Sequence, residues 1–128
     1  MIEVSSDLAR KRVIAHMSGM LTVADVTNFS EQQQAAVKRM GLKSGGYDLL
    51  IIAEGNLVQT KEVMEAFTSL VLRSPVKARK MATVRDGALA RMQARRMSRL
   101  HGGAETFATL EEAEAWLGLE PIDVSVAI

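Results

Sequence analysis

The segment YDLLIIA, residues 47–53, is the most continuous apolar run in the sequence that has strand length. It shows no clean apolar/polar alternation, so both of its faces need cover. That combination fits an interior strand of a parallel sheet, whose crossover helices bury the sheet on both sides. The next segment agrees. After the polar stretch EGNLVQT, residues 60–73 repeat at helical spacing, with Val63, Met64, Phe67, Leu70 and Val71 predicted inward and Glu62, Glu65 and Thr68 outward. Pro75 then stops the helix, because it cannot donate a backbone N–H and disfavours helix in the residue before it.

The rest of the chain repeats this alternation. IEVSS (2–6) and RVIAHMSG (12–19), separated by DLARKR, read as an antiparallel pair of strands. Thr22, with Asp25 three residues on, has the spacing of a helix N-terminus. Behind it Val26, Phe29, Ala36, Val37 and Met40 share one side, interrupted by Gln33, and the glutamines at 32–34 are expected on the helix surface. Gly41 and Ser44-Gly45-Gly46 end that helix. A strand near 80–84, a helix near 87–100 and a short strand around 105–108 come next. Thr109-Leu110-Glu111-Glu112 then has capping-box spacing and opens a helix with Leu110, Ala113, Trp116 and Leu117 inward. The fold class is therefore α/β: a mixed, mostly parallel five-stranded sheet with about four helices in the order ββαβαβαβα. Residues 1–118 make one domain. Residues 119–128 form a C-terminal extension whose period-two pattern (Ile122, Val124, Val126, Ile128) suits a packed strand, against the chain's own sheet or across a homodimer.

These segments are similar to the SpoIIAA-like superfamily, the STAS domains of anti-sigma-factor antagonists and the related CRAL-TRIO lipid-binding fold. The resemblance rests on RVIAHMSGMLTVADV, YDLLIIA, ARKMATVRDGA and FATLEEAEAWLG, and is closest to the small bacterial STAS/CRAL-TRIO-like proteins. It implies the fold, whereas the non-enzymatic regulatory or protein-binding reading rests on the single complete domain, the absence of a catalytic constellation and the concentrated basic surface. The resemblance also implies that the phosphorylated serine of the antagonists corresponds to EGNLVQT. Here that segment has no Asp-Ser pair, and Thr60 is its only hydroxyl. Glu54, Asn56 and Thr60 are the candidate regulatory loop, but a helix N-cap is the leading role for Thr60 and a regulatory phosphosite the alternative, since the segment departs from the antagonists' pattern.

Chemistry beyond this is sparse. The chain has no cysteine, which excludes thiolate metal sites, disulfides and cysteine nucleophiles. Neither a GxGxxG nor a GxxxxGK[ST] pattern occurs. His16, on a strand and expected partly buried, and His101, near a helix end, lack partners at motif spacing. No catalytic residue, metal or cofactor is expected, although the fold could in principle gather Asp48, Glu54 and His16. No stretch approaches a spanning length and no leader is evident, so a cytoplasmic location is the expectation.

The net charge of +1 hides an uneven distribution. Residues 73–101 carry nine Lys or Arg against one acid, Asp86, and residues 102–128 carry six acids and no Lys or Arg. Arg91, Arg95 and Arg99, four apart on one helix, form a ridge that could meet an anionic partner, with Leu89, Met97 and Leu100 expected on the buried side. A solvated helix face is the leading reading of this ridge, and among partners a protein ranks first. An anionic membrane surface follows, and nucleic acid comes last, because no aromatic residues interleave the basic ones. Met40, Met64 and Met97 are expected as core filling, whereas Met17, Met20, Met81 and Met92 leave room for a small apolar cavity. The leading function is thus a protein-binding module. A binder of an apolar or lipid-like ligand is the alternative, to be favoured if a deep apolar cavity exists, and an enzyme ranks third.

Overall fold

The structure, a computed structural model, describes residues 1–55 and 58–119. Strands β1 (Ile2–Asp7), β2 (Arg12–Met17), β3 (Asp48–Ala53), β4 (Met81–Arg85) and β5 (Ala104–Phe107) form one sheet in the order β1-β2-β3-β4-β5. β1 runs antiparallel to β2, with Ile2 opposite Met17, and every other pairing is parallel. The helices are α1 (Val23–Arg39), α2 (Lys61–Arg73), α3 (Ala88–Ser98) and α4 (Leu110–Gly118). This is the mixed, mostly parallel α/β architecture read from the sequence, with β3 interior between two parallel neighbours.

Spatial order follows chain order, and this decides where the helices lie. The crossovers through α1, α2 and α3 all step in one direction, and crossovers of one hand that step one way share a face of the sheet. α4 follows the last strand, is not a crossover, and returns across the opposite face. The core is split to match. Val13, Ala15, Leu49 and Met81 join Phe29 and Val37 of α1 on one side, while Leu50 and Ala82 meet Ala113 and Leu117 of α4 on the other. Burying Leu117 fully contributes about 1.5–3 kcal/mol. Trp116 is half-buried against Phe107, ring centroids 5.6 Å apart, with the Lys80 ammonium 5.0 Å from its ring centre.

Caps fix the helix starts. Thr22 Oγ1 accepts from Asp25 N–H at 3.1 Å and Asp25 Oδ2 accepts from Thr22 N–H at 2.8 Å, a complete capping box. The bond from the Thr22 backbone holds the Asp25 carboxyl below its ordinary pKa. At α4 the expected box is only half made. Glu112 N–H donates to Thr109 Oγ1, but the Glu112 carboxylate accepts a hydrogen bond from the Thr109 hydroxyl rather than from a backbone N–H. Leu110, beside that cap, is exposed rather than inward.

Four further expectations are corrected. Gln33 is buried, because its amide has a partner beneath α1: Nε2 donates to the Tyr47 hydroxyl at 2.7 Å. Thr68 turns toward α3, its hydroxyl 3.8 Å from Met97 Sδ. His16 is exposed, since α4 packs on β3, β4 and β5 and leaves the β2 end of that face open. On α3 the inward residues are Ala90 and Ser98, while Leu89 and Leu100 face out and Met97 is half-buried. The small residues let α3 lie close to β5, where Ser98 Oγ comes within 3.3 Å of Thr106 Oγ1. The predicted packing of the extension beyond residue 119 falls outside the described residues.

Candidate functional site

α2 neighbours α1 and α3 but not the strands, so it stands off the sheet. Long side chains fill the gap incompletely. Of the five residues predicted inward on α2 only Val63 is fully buried; Met64, Phe67, Leu70 and Val71 are half-buried. What remains is a chamber of about 120 Å³ over Leu49, Ile51, Met81 and Thr83, walled by Phe29, Phe67, Leu70, Ala94 and Met97. Met17, Met64, Met81 and Met97 line it, so Met64 and Met97 do more than fill the core. Met20 and Met92, expected near a cavity, are exposed.

Several polar groups in the lining already have protein partners. Gln33 is held by Tyr47, whose phenol burial pushes up to about 12 despite the opposing effect of the Gln33 bond. Ser98 donates to Ala94 O at 3.0 Å. Lys77 Nζ caps the last carbonyls of α2, Val71 O and Leu72 O. At the base of the chamber Gly103 N–H donates to His101 Nδ1 at 3.0 Å, so Nε2 carries the proton shared with Ala78 O at 2.7 Å. His101 thereby ties the loop after α3 to the loop before β4. Nearby, Arg79 makes a two-pronged pair with Asp48, at 3.0 and 2.8 Å.

Gln59 lines the far end. It accepts from Leu21 N–H at 2.9 Å and donates to Gly19 O at 3.2 Å, joining the segment after β3 to the loop before α1. The Gln93 side chain of α3 grips the Gln59 backbone from the other side, accepting its N–H at 3.0 Å and donating to its carbonyl at 3.1 Å. Nothing in the local pattern singled out Gln59 or Gln93, because an amide side chain does not announce its partner.

The predicted site residues are scattered relative to this chamber. Glu54 is exposed at the exit of β3, and Asn56 lies outside the described residues. Thr60 caps α2 by accepting from Val63 N–H at 3.3 Å. The arginine ridge is broken, since Arg91 turns to the Arg85 carbonyl at 3.3 Å while Arg95 and Arg99 stay exposed beside Arg96. Asp48 and His16 sit at opposite ends of adjacent strands, so the two do not converge. Among the described residues no group of three or more His, Asp or Glu could hold a metal ion.

The topology, the Thr22 cap and the segment entering α2 at Thr60 can be set against known families. The family model described as SpoIIAA-like matches residues 12–118. The chain belongs to the SpoIIAA-like family. The match covers β2 through α4 of this SpoIIAA-like domain, in agreement with the superfamily that its segments resemble. A search of curated proteins gave no match. No described helix is long and apolar enough to cross a membrane.

Proposed function

We propose that this SpoIIAA-like domain is a non-catalytic binding module whose chamber under α2 takes a small apolar ligand, of the size of a single ring rather than a lipid chain. The observation that carries this reading is an apolar void of about 120 Å³ in which the Gln33, Gln59, Ser98 and His101 side chains are hydrogen-bonded to protein. Lined in this way, such a space favours an apolar guest over water, because a buried water needs two to four polar partners. Family membership and the lack of a metal-ligand cluster among the described residues support a role without catalysis. The protein-binding reading, first in the sequence, takes second place. It keeps support from exposed Arg95 and Arg99, and a regulatory phosphate on Thr60 belongs to it.

Native mass spectrometry of gently purified protein, joined to calorimetric titration with benzene as the probe, tests the chamber. Saturable binding is expected, and Ala94→Trp, which fills the chamber from α3, should weaken it at least about tenfold while circular dichroism stays unchanged. Absence of saturable binding to the wild-type protein, or equal binding by the variant, would defeat the proposal.

A further inference from the structure

The last two helices, α3 and α4, lie on opposite faces of the sheet and carry opposite charge. On α3 and at its C-cap, Arg95, Arg96 and Arg99 are exposed and form no salt bridge among the described residues. Met92, 50% exposed, projects from among them, with Leu89, 68% exposed, on the flank. α4 presents Glu111 and Glu114 beside Ala115 and Gly118, all exposed, and contains no basic residue. Glu111 has no salt bridge among the described residues, and Glu114 only the 4.0 Å approach of Arg12. Gly118 faces open space, since a Cβ built there meets nothing within 4 Å.

We propose that the outward face of α3 binds the outward face of α4 on a second copy of this chain. Arginine forks match carboxylates in two-pronged geometry, and protruding Leu89 and Met92 find a low surface at Ala115 and Gly118. The same two features argue against other occupants. A bilayer surface would meet the arginines and Leu89 of α3 but would leave the acidic, base-free outer face of α4 without a counterpart. An unrelated acidic protein is not needed where the chain itself carries a helix of matching charge. Because α3 and α4 cover opposite faces of the sheet, one partner cannot satisfy both helices through a twofold axis. Copies therefore join head to tail, and the assembly grows into a ring or a chain rather than stopping at a dimer. This inference does not depend on the chamber.

The test is sedimentation velocity on the full chain from about 10 µM to about 1 mM, at low and at high salt. Mass should rise past the dimer with concentration, and the dissociation constant should rise about tenfold or more with added salt, as screening weakens the exposed charges. Two charge-reversed proteins complete it, one with Arg95→Glu and Arg99→Glu, the other with Glu111→Arg and Glu114→Arg. Each alone should stay monomeric, and an equimolar mixture should assemble again, because every α3–α4 contact between unlike copies is then complementary. Unchanged folding by circular dichroism qualifies each variant. A wild-type protein that stays monomeric at low salt overturns the proposal, as does a dimer indifferent to both reversals. Cosedimentation of monomer with anionic vesicles would overturn it too, and would give α3 to a membrane surface.

Discussion

Thr60 and Gln59 are adjacent, yet only one of them reveals its partner in the sequence. A hydroxyl immediately before an amphipathic run has one obvious use, an orphan N–H of the first helical turn, and the structure puts Val63 N–H there. Thr60→Ala should therefore cost about 0.5–2 kcal/mol in urea unfolding, and a variant as stable as the wild type would refute the cap. Gln59 bonds Leu21 and Gly19, 38 and 40 residues away, and separations of that kind leave no local trace. Gln33 lies between these cases: its interruption of an apolar face signalled something, and the structure shows a buried bond to Tyr47. Tyr47 is the one tyrosine in the chain, so its ionisation can be followed alone. Burial raises its pKa from 10.0 to about 12. Stability from the neutral phenol is thus complete below pH 10 and is lost as pH climbs toward 12. Tyr47→Phe should cost about 1–3 kcal/mol at neutral pH by stranding the Gln33 amide, and should flatten the alkaline loss. Tyrosinate absorbance that appears near pH 10 before any unfolding would contradict the burial account.

At the scale of elements, β3, α1 and the capped start of α2 were legible because a long apolar run, a helical period and a hydroxyl cap all agree. α3 was not. A helix of 11 residues offers more than one inward arc, and the larger apolar residues pointed to the wrong one. Closeness to the sheet decided otherwise, since Ala90 and Ser98 fit beside β4 and β5 and leucines do not. The same tightness appears at Gly103, where an added Cβ would lie 2.5 Å from the Arg79 carbonyl oxygen. Backbone must shift to accept it, so Gly103→Ala should destabilise by about 1–3 kcal/mol. Gly118→Ala is the control. Its Cβ enters open space on α4, and removing a helical glycine should stabilise by about 0.5–1 kcal/mol. Urea midpoints moving in the same direction for both variants would show that the close approach at Gly103 has no energetic weight.

Across the whole molecule, the chamber results from an uneven distribution of helices. Three crossovers crowd one face, α2 is carried on its neighbours rather than on strands, and side chains alone span the space beneath it. No sequence pattern reports that stand-off, because the period of α2 is that of any helix with a buried side. The consequence is measurable as linkage between binding and folding. A ligand that binds only the folded chain adds about 2.7 kcal/mol of stability at a hundred times its dissociation constant. For a domain of this size that is a rise in Tm of roughly 5–12 °C. Ala94→Trp occupies the same space with a side chain, so an apolar ligand should raise the Tm of the wild type and leave that of the variant nearly unchanged. If both midpoints rise equally, the ligand stabilises the fold from outside the chamber. If the wild type gains nothing at saturating probe, the space under α2 is a packing defect rather than a binding site.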